Sequence, residues 1–111
     1  MEARFLSPSR TLVIKIQDEI DHHSSEAIRK RIDKEIQRYM PLVVVFDFSG
    51  VKFMDSSGIG MIIGRYKNIQ RLNGKAFMTN VRPEIKRIFE MSGLFKIIPL
   101  CDNIEGTVKS V

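Results

Sequence analysis

Cysteine occurs once in this chain, at Cys101, and histidine only as the pair His22 and His23. No disulfide can close within the chain, and no Cys or His cluster has the spacing of a metal site, so a reducing, cytoplasmic setting is expected. Long apolar runs are missing too. Leu42 to Phe46 is far too short to span a bilayer, and Met1 to Pro8 lacks the apolar stretch of a signal peptide. The chain is therefore expected to be neither exported nor embedded in a membrane. It has no internal repeat, no low-complexity segment and no basic run flanked by stacking aromatics, which counts against direct nucleic-acid binding despite a net charge of +5. Arg29, Lys30, Arg31, Lys34 and Arg38 are interleaved with Glu26, Asp33 and Glu35 on one expected helix, the pattern of a solvated face.

What is present is the balance of an ordinary globular protein, 43% hydrophobic and 28% charged over 111 residues, and predicts one domain spanning 1–111. Thr11 to Ile16 is β-branched and apolar over a strand's length, with Arg4 to Leu6 able to pair beside it as an N-terminal hairpin. Ile28, Ile32, Ile36 and Tyr39 put one apolar stripe on a helix that starts near Asp21 to Ser24 and stops before Pro41. Leu42 to Phe46 has no polar alternation, as in a central strand covered on both faces. After a loop from Asp47 to Asp55, the stripe Ile59, Ile62, Ile63, Tyr66, Ile69 and Leu72 predicts a second helix, closed by a left-handed cap at Asn73-Gly74. Lys75 to Thr79 reads as a strand. Pro83 opens a third helix with Ile85, Ile88 and Phe89 buried, and Gly93 ends it. A last strand is expected near Lys96 to Ile98. A short terminal helix follows, from the capping box Asp102 with Glu105 and the pair Ile104 and Val108. Strands alternating with helices predict an α/β fold, a mostly parallel sheet of four to five strands with about four helices.

Three motifs carry candidate chemistry. Asp21-His22-His23 could ligate a divalent cation, but no further acidic or imidazole ligands are placed to converge on it, so it reads as a polar loop capping the first helix through Asp21 or Ser24. Gly58-Ile59-Gly60 with Gly64 resembles a dinucleotide fingerprint. The preceding strand ends too far upstream for a tight strand-to-helix turn, and no acidic residue closes the next strand, so no cofactor is expected. Asp55-Ser56-Ser57-Gly58 sits where the long loop enters the second helix. One cap needs one such side chain, whereas two serines and several glycines exceed that need, and each glycine weakens the helix by about 0.5–1 kcal/mol relative to Ala. Bare helix surface there would let another protein's backbone come close. No nucleophile, base and orienting group can be assembled from this inventory, so no enzyme is expected.

The stretch Phe53-Met54-Asp55-Ser56-Ser57-Gly58-Ile59-Gly60, continuing through Gly64-Arg65-Tyr66-Lys67, resembles the anti-sigma-factor antagonists of the sporulation type, members of the STAS domain family. Asp21-His22-His23, Lys86-Arg87-Ile88-Phe89 and Met91-Ser92-Gly93-Leu94-Phe95-Lys96-Ile97-Ile98 extend the likeness over most of the chain. The resemblance implies a STAS-like single domain and a regulator of sporulation transcription. It implies phosphorylation of Ser56 by a partner that is both anti-sigma factor and ATP-using serine kinase, binding ATP or ADP. It also implies that the unmodified form binds that partner and frees the sigma factor, and that a PP2C-type serine phosphatase restores the serine. The partner surface it implies is Asp21, His22 and His23 beside Asp55, Ser56, Ser57, Gly58, Ile59 and Gly60. A phosphate on Ser56 would sit at the start of the second helix, where free N–H groups and the helix dipole favour an anion. The alternative is a stressosome-like or sensory STAS module that acts as a scaffold or binds a small ligand.

Overall fold

The computed structural model describes residues 1–102 and 104. Four strands form one sheet in the order β1-β2-β3-β4: β1 (Glu2–Leu6), β2 (Thr11–Lys15), β3 (Val43–Asp47) and β4 (Lys75–Thr79). β1 and β2 pair antiparallel as the expected hairpin, while β2–β3 and β3–β4 are parallel, with Leu12 opposite Val44 and Val44 opposite Ala76. Each parallel step is made by a helix: α1 (Ser25–Tyr39) between β2 and β3, and α2 (Ser57–Arg71) between β3 and β4. A third helix, α3 (Pro83–Ser92), follows β4.

The two faces of the sheet divide by period-two alternation. Leu12, Ile14, Ile16, Val44, Phe46, Ala76 and Met78 face one core, filled by Ile28, Ile32 and Ile36 of α1, Met61, Ile62 and Ile69 of α2, and Ile85 and Phe89 of α3. Val13, Val43 and Val45 form a smaller cluster on the other face, with Leu6, Phe77 and Ile104 packed against it. β3 is buried at all five positions, as a continuous apolar run predicts for an inner parallel strand. Its start lies one residue later than expected, and Leu42 just before it is 49% exposed although its backbone still bonds to both neighbouring segments. Its N–H donates to Arg10 O (2.9 Å) and its carbonyl accepts from Lys75 N (2.9 Å).

The helix ends follow local chemistry. Pro41 cannot continue α1, and Met40 closes it in the left-handed region at φ 45°, its N–H donating to Ile36 O at 2.8 Å. At the end of α2 the left-handed residue is Asn73, at φ 60°. Gly93 ends α3 at φ 77°, a conformation that strains any residue with a Cβ.

The expected strand near Lys96 to Ile98 does not form. Residues Leu94–Lys96 make a 3-10 turn, which puts both Leu94 and Ile98 into the core and closes Phe95 against Phe89, ring centroids 5.8 Å apart. Among the described residues a single parallel bridge, Met78 to Leu100, adds to the edge of β4. Once Gly93 turns the chain left-handed, burying Leu94 and Ile98 one turn apart satisfies more apolar surface than an extended Lys96-Ile97-Ile98 would. The expected terminal helix lies largely outside the described residues. Among those residues no helix is long and apolar enough to cross a membrane.

Candidate functional site

The carboxyl ends of β2 and β3 release two loops, 16–24 and 48–56, on the same edge of the sheet, the usual location for function in a parallel α/β fold. These loops are zipped together. Ile20 and Met54 form an isolated parallel bridge, in which Ile20 N–H donates to Phe53 O (3.0 Å) and Asp55 N–H donates to Ile20 O (3.0 Å). Both bridging side chains are buried.

Two aspartates fix the ends of these loops. Asp21 Oδ1 accepts the N–H groups of His23 (2.9 Å) and Ser24 (2.8 Å), while Ser24 Oγ accepts Asp21 N–H (3.0 Å) and donates to Glu19 O (2.6 Å). Asp21 thus holds the turn that leads into α1, whose N-cap Ser24 makes no side-chain cap bond to the helix itself. Asp55 does the same for α2 and also ties the loops: Oδ1 accepts Ser57 N–H (2.9 Å) and the Ser57 hydroxyl, and Oδ2 accepts His22 N–H (3.2 Å). Hydrogen bonds from Ser24 hold the Asp21 carboxyl below its ordinary value, and hydrogen bonds from Ser57 do so for Asp55, with smaller help from His23 and His22.

The two adjacent serines therefore differ. Ser57 is half-buried with its hydroxyl held by Asp55, whereas Ser56 is exposed and its hydroxyl has no hydrogen-bond partner among the described residues. The first N–H groups of α2 are occupied, Ser57 by Asp55 Oδ1, Gly58 by Asp55 O and Ile59 by Ser56 O. An anion on Ser56 would accordingly stay in solvent rather than be held by free helix N–H groups.

The expected site residues divide in the same way. The Asp21-His22-His23 segment is tied to Asp55 through His22 N–H, and the two imidazoles are exposed with ring centroids 5.7 Å apart. Gly60 is exposed with open space where a Cβ would stand, as is the space around Gly64. Gly58 is different. It is buried, and a Cβ there would stand 2.4 Å from Met54 Sδ and 3.1 Å from Ile20 Cγ2, so its bareness serves the loop zipper. Ile59 packs partly into the core.

Two features escape sequence reasoning. Phe53 is 51% exposed beside Asp55, because the buried Met54 turns its neighbour outward. Arg65 is buried between the helices, with Nε 2.7 Å from Asp33 Oδ1, which also accepts Asn68 Nδ2 (3.0 Å). This ion pair joins α1 to α2, although among the described residues Arg65 Nε and Nη1 are buried with no well-formed hydrogen bond. Among the described residues no three His, Cys, Asp or Glu side chains gather as a metal site would need.

The Asp21 and Asp55 carboxylates make the fold sensitive to acid. Their ordinary value is 3.8 and both are lowered in the fold. Their contribution to stability is fully present above that value and is lost as pH falls through the lowered ones. Acid unfolding followed by circular dichroism is expected to be less steep in Asp55→Asn than in the parent, and Asp55→Ala lowers Tm by a few degrees even at neutral pH through the lost cap.

A mixed four-stranded sheet with α1, α2 and α3 on one core, and a serine at a loop-to-helix entrance braced by a second loop, define a recognisable class. The chain belongs to the STAS domain family, whose model matches residues 4–109. It is 42% identical over 92 residues to an anti-sigma F factor antagonist of Paenibacillus polymyxa, covering 83% of this chain and 79% of that protein. Its fold matches the solved structure of the anti-sigma factor antagonist SpoIIAA in its unphosphorylated form, with TM-score 0.81, 28% identity and coverage of 99% and 96% of the two chains. The Bacillus cell-fate determinant SpoIIAA in its phosphorylated form matches with TM-score 0.72 at 28% identity, covering 98% and 96%.

Proposed function

We propose that this protein is an anti-sigma-factor antagonist that works as a partner switch and not as an enzyme. Unmodified, it binds an anti-sigma factor that is also an ATP-using serine kinase, and so releases a sigma factor of sporulation. Phosphorylation of Ser56 by that partner ends binding, and a PP2C-type phosphatase restores it. The docking surface is the exposed part of the paired loops, Asp21, His22 and His23 beside Asp55 and Ser56, continuing onto Gly60.

The observation that carries this reading is the exposed Ser56 hydroxyl at the entrance to α2, beside a Ser57 hydroxyl already held by Asp55. A kinase needs an accessible nucleophile, and only one of the two serines is free to turn toward it. The names of the relatives support the same reading, and one of them has solved structures in unphosphorylated and phosphorylated forms.

The experiment is incubation of the full chain with its cognate anti-sigma factor and ATP, followed by mass spectrometry of the peptides. One phosphate is expected, on Ser56. Phosphate on Ser57, or none at all with an active kinase, contradicts the assignment.

A further inference from the structure

We infer that Phe53 is the apolar anchor of the docking surface, and that the partner meets it with an apolar pocket rimmed by lysine or arginine. This inference rests on the partner-switch reading above and adds what the partner's surface must look like.

The bridge between Ile20 and Met54 turns both side chains inward. By strand alternation their neighbours, Glu19 and Asp21 on one loop and Phe53 and Asp55 on the other, turn outward together. Glu19 and Phe53 are exposed, and Asp21 and Asp55 half-exposed. Phe53 is held there by its backbone, whose carbonyl accepts Ile20 N–H at 3.0 Å. A phenyl ring half in water on a braced loop has little ordering left to undergo on binding, which favours an anchor.

The charges around it point to the occupant. Segments 17–21 and 52–56 carry four carboxylates, Asp18, Glu19, Asp21 and Asp55, against Lys52 and the N-terminal ammonium 3.7 Å from Asp18, in a chain whose net charge is +5. The end of the molecule that holds the proposed switch is thus acidic on a basic protein. Glu19, Asp21 and Asp55 remain in excess of Lys52, a charge that a basic rim complements, and opposite charge at a rim acts mainly on the rate of encounter.

The test measures affinity and association rate of the full chain for its cognate anti-sigma factor, using wild type, Phe53→Ala, Phe53→Gln and Glu19→Lys, with Tm taken for each. Phe53→Ala and Phe53→Gln are expected to keep the wild-type Tm and to bind at least about thirtyfold more weakly. Glu19→Lys slows association at low salt, and the difference shrinks when NaCl is raised from about 0.05 M to about 0.5 M. If wild type binds and both Phe53 variants bind within about threefold of it, the anchor is refuted while the partner switch stands. An association rate unchanged by Glu19→Lys at low salt refutes the basic rim. Absence of binding by wild type removes both readings at once.

Discussion

Ser56→Ala is expected to fold as the parent does and to bind the anti-sigma factor with little change, but to accept no phosphate, while Ser56→Asp binds at least about tenfold more weakly. The side chain is exposed and makes no hydrogen bond among the described residues, so its removal takes nothing from the fold. Adding charge is a different matter. A phosphate brings about −1.5 to −2 charges to a point flanked by Asp55 and Asp21. In the free protein water screens it, and the first N–H groups of α2 are already occupied, so it neither binds the helix end nor displaces it. In the proposed complex the same group would lie at the centre of the interface and not at its basic rim, and would lose its water against a partner that, on this reading, carries nucleotide phosphates. Repulsion and desolvation there amount to several kcal/mol, roughly a hundredfold or more in affinity. Aspartate has one charge and a shorter reach, hence its smaller effect. Calorimetric titration of the variants against the anti-sigma factor reads all of this, and a Ser56→Asp that binds as the parent does would count against the switch.

Gly58→Ala and Gly60→Ala are expected to move stability in opposite directions. A methyl at Gly58 would stand 2.4 Å from Met54 Sδ and 2.5 Å from its Cγ, and Met54 is only 4% exposed, so the thioether has nowhere free to go. Overpacking of this kind costs about 1–3 kcal/mol, or about 4 °C or more of Tm in a chain of this length. Because the clash falls on the bridge between the loops, partner binding should fall with it. At Gly60 a Cβ meets nothing within 4 Å. The change to Ala therefore raises helix stability by about 0.5–1 kcal/mol and Tm by a few degrees. With Gly60 on the proposed docking surface, Gly60→Leu should keep the gain in Tm and lose affinity. Thermal melts separate the two glycines, and a binding titration shows whether Gly60 faces the partner.

That contrast also marks where sequence reasoning stops. Gly58 and Gly60 look alike in the chain, two bare positions in the first turn of α2, yet one is bare for Met54 and the other faces open space. The difference is decided by the pairing of Ile20 with Met54, 34 residues apart, which no local pattern announces. The hairpin, the inner strand β3, the apolar stripes of the helices and the stops at Pro41, Asn73 and Gly93 were legible because each is written in neighbouring residues. Lys96-Ile97-Ile98 misled because β-branched residues suit a strand, while Leu94 and Ile98 were needed in the core from a 3-10 turn. Phe53 was hidden for a related reason. An aromatic residue between a lysine and a methionine gives no sign of facing outward until its neighbour is seen to be buried. The distinction between Ser56 and Ser57 rests on one hydrogen bond, from the Ser57 hydroxyl to Asp55. Likewise the Arg65–Asp33 pair joins residues that in sequence read only as charges on two separate helices.

Comparing the affinity of the cognate anti-sigma factor for two preparations of this chain, one unmodified and one fully phosphorylated on Ser56, is the most direct measurement, with circular dichroism taken on both. Matching spectra together with a dissociation constant raised about a hundredfold or more are predicted. Equal affinities, or a weaker complex that is explained by loss of folded structure, would contradict the account.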